Sequence, residues 1–256
     1  MAHFLRNLRH RMIDSGRMRA YVAYAAGELL LIVAGILIAM QIGNWNSARQ
    51  DRARELVYLA NIRADLVANV TLMDRVLAER KEKVAGARRM LTHFAGKPID
   101  DPSAFNADGI NIYSWERFYL GNNTYQELVS SGNFALLSSH DVKTSLLDIE
   151  ALYVKMKSEE DHYRFDSETA LYKPIYDLID TEAMTADFAW RVSGGKEGRA
   201  GAITAATFEP MLKSRTIKNG FVMTVLEYGT MNAQMAEMRE RCQRLIAIID
   251  AEIRRG

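Results

Sequence analysis

Residues 21–43 contain one charged side chain, Glu28, in an otherwise apolar run of Leu, Ile, Val, Ala, Gly and Met. Wound as a helix rising ~1.5 Å per residue, such a run is long enough to cross a hydrocarbon core of ~30 Å. Tyr21 and Tyr24 at one end and Trp45 at the other stand where amphipathic rings prefer the headgroup level. A secretory signal also pairs a basic start with an apolar run, but its core is ~7–15 residues and ends at a small-x-small cleavage site. This run is longer and no such site follows, so the expectation is an uncleaved membrane anchor. Arg6, Arg9, Arg11, Arg17 and Arg19 precede it, against Arg49, Arg52 and Arg54 beyond it. The positive-inside bias then puts the amino terminus in the cytoplasm and the rest of the chain outside, in the periplasm of a host with two membranes. Phe4, Leu5, Leu8, Met12 and Ile13 among the arginines fit either a short amphipathic helix on anionic headgroups or a charged topology signal without fixed structure.

Within the span, Glu28 and Gln41 are the costly residues, since a carboxylate in hydrocarbon needs a partner, a proton or water. Gly35 lies seven residues from Glu28, and Ala39 and Gly43 follow at steps of four, which places small residues along a stripe that is polar at one end. Small-xxx-small spacing lets helix backbones approach, and a polar group there can hydrogen-bond across the contact. The expected intramembrane contact therefore involves Glu28, Gly35, Ala39, Gln41 and Gly43, with a second copy or another membrane protein. The competing account has Glu28 reaching headgroup water at the interface.

The stretch Tyr24-Ala-Ala-Gly-Glu-Leu-Leu-Leu-Ile-Val-Ala-Gly-Ile-Leu-Ile-Ala-Met-Gln-Ile-Gly-Asn-Trp-Asn46 resembles the amino-terminal signature of a family of uncharacterised bacterial single-pass membrane proteins. The resemblance rests on Gly27, Glu28, Gly35, Gln41, Asn44, Trp45 and Asn46; Gly43 stands where Asn is frequent. A second stretch, Thr124 to Leu137, is similar to the family's Thr-x-x-Glu-Leu-x-x-Ser-Gly segment through Thr124, Glu127, Leu128, Ser131 and Gly132. It implies an anchor and a helical domain, and no reaction.

Beyond the anchor the pattern is all-α. Leu56, Leu59, Ile62, Leu66, Val70, Met73, Leu77 and Val84 recur at helical spacing, predicting a helix over 47–94 that stops before Gly96 and Pro98. No helix breaker separates it from the span. Residues 97–123 read as a linker whose Tyr113, Trp115, Phe118 and Tyr119 pack onto the domain or line a cleft. Thr124 with Glu127 reads as a capping box opening a short helix ended by Gly132. Ser138 with Asp141 caps a helix over 139–173, which Pro174 breaks or kinks. Residues 180–214 form a second linker with a flexible Gly194–Gly198 loop. The last helix, 216–254, carries Phe221, Val225, Tyr228, Met231, Met235, Met238, Cys242, Leu245 and Ile249 on one side, a core stripe rather than a soft-metal site. The expected organisation is a basic segment 1–20, a transmembrane helix 21–43 and a water-soluble antiparallel helical bundle over 44–256.

Chemistry is harder to find. Without the five amino-terminal arginines, Asp14 and Glu28, 28 of the 33 basic and 30 of the 32 acidic residues remain, a near-neutral domain with no nucleic-acid footprint. Glu159-Glu160-Asp161-His162 contains a Glu-x-x-His step, half of a di-iron site, with no second pair in sequence. His93 and His140 stand alone. The Gly194–Gly198 loop lacks Walker spacing, and hydrolase, zincin and Cys-x-x-Cys signatures are absent. Catalysis, cofactor and metal are not expected. The sequence favours a non-catalytic interaction module in a bilayer, joined to a copy of itself or a partner membrane protein. The alternative is an extracytoplasmic sensor whose small-molecule ligand the sequence leaves open.

Overall fold

The structure, a computed structural model, describes residues 17–255; the reading of Phe4 to Ile13 as an interfacial helix lies outside them. Among the described residues all regular structure is helical, with no strand. The chain divides into two compact units, Met1–Leu56 and Val57–Gly256.

The first helix, α1, runs without a break from Arg17 to Phe94, so the expected span and the expected 47–94 helix are one element. In the first unit its large apolar side chains from Tyr21 to Trp45 are 46–74% exposed. This is the one helix among the described residues long and apolar enough to cross a membrane.

In the second unit, α1 buries Leu59, Ile62, Leu66, Met73, Ala87 and Met90 on one face. It ends as its sequence dictates: Gly96 takes a left-handed φ of 102°, and the Lys97 N–H returns to the Thr92 carbonyl at 3.1 Å. The segment expected to be a linker folds in part. Asp101 accepts from the Ala104 N–H at 2.9 Å and starts α2 (Pro102–Tyr113), with proline in the first turn where no N–H is required. Arg89 of α1 grips Asp108 of α2 through two bonds of 2.8 and 2.6 Å.

Next come α3 (Asn123–Ser130) and a 3-10 turn (Asn133–Leu136). Helix α4 (His140–Ser167) follows, capped by Ser139 rather than Ser138: its hydroxyl accepts from Val142 at 3.4 Å. Of the break or kink expected at Pro174, the break does not occur. A π-turn, Glu168–Tyr172, leads directly into α5 (Lys173–Leu178), whose first turn holds Pro174. Widening the turn ahead of a proline relieves the clash of its ring with the preceding turn, so the helix passes through.

The second expected linker also holds helices: α6 (Thr181–Val192), capped by Asp180, then a 3-10 turn (Ala205–Phe208) and α7 (Glu209–Leu212). The loop between them is not slack. Gly198, at φ 80°, lies so close that a Cβ there would sit 2.1 Å from the Ala186 carbonyl oxygen, while the Arg199 N–H bonds that same oxygen at 3.0 Å. The last helix, α8 (Arg215–Arg255), buries the expected Phe221, Tyr228, Met231, Met235, Met238, Cys242, Leu245 and Ile249; Val225 is half-buried against the core.

Helix α8 meets α1 in opposite sequence order: Arg63 with Asp250 at 2.6 Å, Asp74 with Arg239 at 2.6 Å, and Phe94 with Phe221 at 5.8 Å between rings. It meets α4 the same way, through Asp148 with Arg241 at 3.6 Å and Tyr163 with Tyr228 at 4.6 Å between rings. Between α1 and α4 the order is the same in both: residues 62–69 lie beside 146–150, and Arg80 beside Glu160. Helices in that relation need a long crossover rather than a short hairpin loop, and residues 95–139 provide it. A core of Ala87, Met90, Phe105, Leu171, Phe208, Met211 and Phe221 closes one end.

Two predictions follow from these local constraints. Gly198→Ala combines left-handed strain with a backbone clash and should cost about 1–3 kcal/mol, more than Gly201→Ala, whose Cβ meets open space at φ 64°; thermal unfolding followed by circular dichroism compares the two. Burial pushes the Cys242 thiol up to about 12, so a thiol-reactive disulfide reagent at neutral pH should leave the folded chain untouched and label it after guanidinium unfolding.

Candidate functional site

The residues singled out in the span, Gly27, Glu28, Gly35, Ala39, Gln41, Gly43, Asn44, Trp45 and Asn46, all lie exposed on α1. A Cβ added at Gly27, Gly35 or Gly43 would meet nothing within 4 Å. At ~100° per residue, Glu28, Gly35, Ala39 and Gly43 fall within roughly 80° of one another around the axis. Gln41 falls about 140° from Glu28 by the same geometry, so it cannot share that face.

The Thr124–Gly132 segment acts as a dock between α3 and α1. The Thr124 N–H donates to Asp65 at 3.1 Å, and the Tyr58 hydroxyl donates to Glu127 at 3.2 Å. Leu128 is fully buried, the Ser131 hydroxyl bonds the Glu127 carbonyl at 2.7 Å, and Gly132 turns the chain at φ 72°. The expected capping box is corrected: the N-cap is Asn122, two residues before Thr124, and Thr124 lies inside the helix. Glu127 turns to Tyr58 because a hydroxyl on the facing helix lies within reach. Just ahead, Asn69 holds both polar groups of Gly121, donating to its carbonyl at 2.7 Å and accepting from its N–H at 2.8 Å.

The pair that organises the interior was hidden in the sequence. Arg80 of α1 and Glu160 of α4 form an ion pair with side chains 3% and 2% exposed. Both oxygens of Glu160 also accept from the Phe118 N–H, each at 3.3 Å. The Arg80 guanidinium stands over the Tyr228 ring at 5.9 Å, and Tyr228 packs on Tyr163. Burial pushes the Tyr163 phenol up to about 12, and Tyr228 is raised by burial and by Tyr163 beside it. The second terminal nitrogen of Arg80, Nη1, is buried without a partner. Arg80 lies seven residues from both Met73 and Ala87, on the buried stripe of α1; that spacing is the signal that could have found it.

Arg80 forms part of the wall of a cleft of about 370 Å³, with Lys83, Asn111, Ser114, Arg117, Phe118 and Tyr228. Lys83 donates to the carbonyls of Asn111 and Ser114 at the end of α2, and burial lowers its pKa. Arg117 pairs with Asp161. Phe118 is buried and Tyr119 is exposed, so the aromatic linker divides between core and surface. His93 donates to the Lys97 carbonyl at 3.0 Å, and His140 opens α4 within 3.4 Å of the Thr144 hydroxyl. The cleft offers matched charges: Glu79, Glu82 and Glu116 line it beside the three cations.

Residues 28–173 match a family of unknown function, DUF6090. The chain belongs to that family. The matched segment runs from Glu28 to the start of α5, so it contains Arg80, Glu160 and the Thr124–Gly132 dock. No curated protein matches the chain, and neither does any solved structure.

A buried charge left alone is far worse than a buried pair or none. Glu160→Leu should therefore destabilise the domain by about 3–5 kcal/mol, and adding Arg80→Met should recover most of that. Urea unfolding of the two variants and the wild type reads out the difference.

Proposed function

We propose that the protein is held in a membrane by residues 21–43 and works as a non-catalytic helical module that assembles through this span. The observation that carries the reading is the exposure of every large apolar side chain from Tyr21 to Trp45. Leaving a Leu or Ile in water forgoes ~1.5–3 kcal/mol. A dozen such side chains outweigh the ~5–15 kcal/mol that holds a domain folded. Lipid tails cover them without cost. The five arginines before the span favour a cytoplasmic amino terminus, with the domain on the outer side of a bacterial inner membrane. On that side the three long helices form a bundle in which α8 runs antiparallel to α1 and α4.

Inside the bilayer nothing hydrophobic drives two helices together, so close backbone packing and polar contacts must. Glu28, Gly35, Ala39 and Gly43 supply both on one face, for a second copy or a partner membrane protein. Gln41, on another side, would serve a separate contact.

The cleft beside Arg80 supports a second reading, a binding domain for a small polar molecule that signals through the partner.

Alkaline carbonate washing of membranes followed by intact mass tests the anchor. The expected outcome is the whole 29.0 kDa chain in the pellet; a soluble form lacking its first forty or so residues would overturn it. Purification in mild detergent then compares wild type with Glu28→Ala. A partner or dimer lost in the variant is expected, and identical lone species in both would rule out the intramembrane contact.

A further inference from the structure

Where α4 crosses α8, His162, Asp166 and Glu227 bring one imidazole and two carboxylates together, with a ligand atom from each within 4.8 Å of the others. His162 and Asp166 are one helical turn apart and share a face of α4, their Nε2 and Oδ2 atoms 3.8 Å apart. Glu227 reaches in from α8, next in sequence to Tyr228, whose buried ring on Tyr163 fixes the local register of the two helices.

Both carboxylate oxygens of Glu227 are closed off from solvent and accept no hydrogen bond. Shut-in carboxylate oxygens without a donor need a proton or a cation. Asp166 and Glu159 set further negative charge beside Glu227, which a cation would offset. Arg164 on the same helix as His162 turns to Glu168 at 3.6 Å, and Arg80 gives one terminal nitrogen to Glu160.

We propose that His162, Asp166 and Glu227 bind a divalent transition-metal ion of the Zn²⁺ type, which ties α4 to α8. Mixed imidazole and carboxylate ligands suit such ions. Tetrahedral zinc with bonds of ~2.1 Å sets its ligand atoms roughly 3.4 Å apart, so the cluster closes onto an ion by a shift of about an ångström. His162, 65% exposed, can make that shift at little cost and leaves the ion open to water on its outer side. The π-turn begins at Glu168, two residues after Asp166; such turns recur beside functional sites. Of the Glu-x-x-His step legible in the sequence only His162 enters the cluster; Asp166 and, from the opposite helix, Glu227 supply the carboxylates.

Full-length protein in detergent, stripped with a chelator and desalted, is titrated with zinc chloride and, separately, magnesium chloride. Retained metal is counted by elemental analysis and thermal unfolding is followed in parallel. One equivalent of zinc should survive desalting, with a rise in melting temperature of about 5–10 °C at a hundredfold excess over Kd and none with magnesium. His162→Ala, at an exposed position that leaves the fold intact, and Glu227→Gln should each weaken zinc binding at least tenfold, and His93→Ala should not. Failure of the wild type to retain zinc would overturn the proposal. So would equal retention by the wild type and both site variants, which would place the ion elsewhere.

Discussion

The Arg80–Glu160 pair joins four parts of the domain at one point. Arg80 comes from α1, Glu160 from α4, the Phe118 N–H from the crossover and the Tyr228 ring from α8. Two charges removed from water repay their desolvation only when geometry and surrounding hydrogen bonds are good. The pair therefore adds little net stability over apolar side chains of the same size. Its effect is on register: sliding α1 against α4 by one turn would strand both charges in an apolar interior. Packing of Leu and Met along the same helices is far more tolerant of such a slip.

That division of labour explains what could be read from the sequence. Periodic apolar residues marked α1, α4 and α8, and glycines at 96 and 132 marked two stops, because those signals are local. Helices α2 and α6 were missed. Pro102 and Gly109 suggest a loop by composition, whereas the caps at Asp101 and Asp180 work through single hydrogen bonds that several other aspartates could equally have made. Pro174 left a break and a kink both open for a related reason, since a break is the local answer and a widened turn the tertiary one. Arg80 was not singled out, and Glu160 stood out only within the Glu159–His162 run, because their partnership spans eighty residues. Glu227 and His162 stand on different helices, 65 positions apart, so nothing in the sequence around either announces the other.

The family match ends at Lys173, near the point where the helix widens into its π-turn. The apolar run from Glu28 onward, the crossover dock and the buried ion pair lie within it, whereas Glu227 and the methionine stripe lie beyond. The architecture and the candidate metal centre thus rest on different stretches of chain, with α4 common to both. Substitutions in α8 at Glu227 would alter the candidate metal centre and leave the apolar run and the dock unchanged.

The same-direction pairing of α1 and α4 also has a consequence for synthesis. Neighbours joined by a tight hairpin can zip together while the ribosome is still adding residues. Here α1 and α4 each pack along α8, which is made after both, and the crossover must first carry the chain back along the part of α1 that lies in the second unit. Contacts between residues so distant in sequence carry a large closure cost before they are rewarded. Until α8 arrives, the Leu and Met faces of the earlier helices stay uncovered. A domain of this design completes its packing only after its last helix has been made.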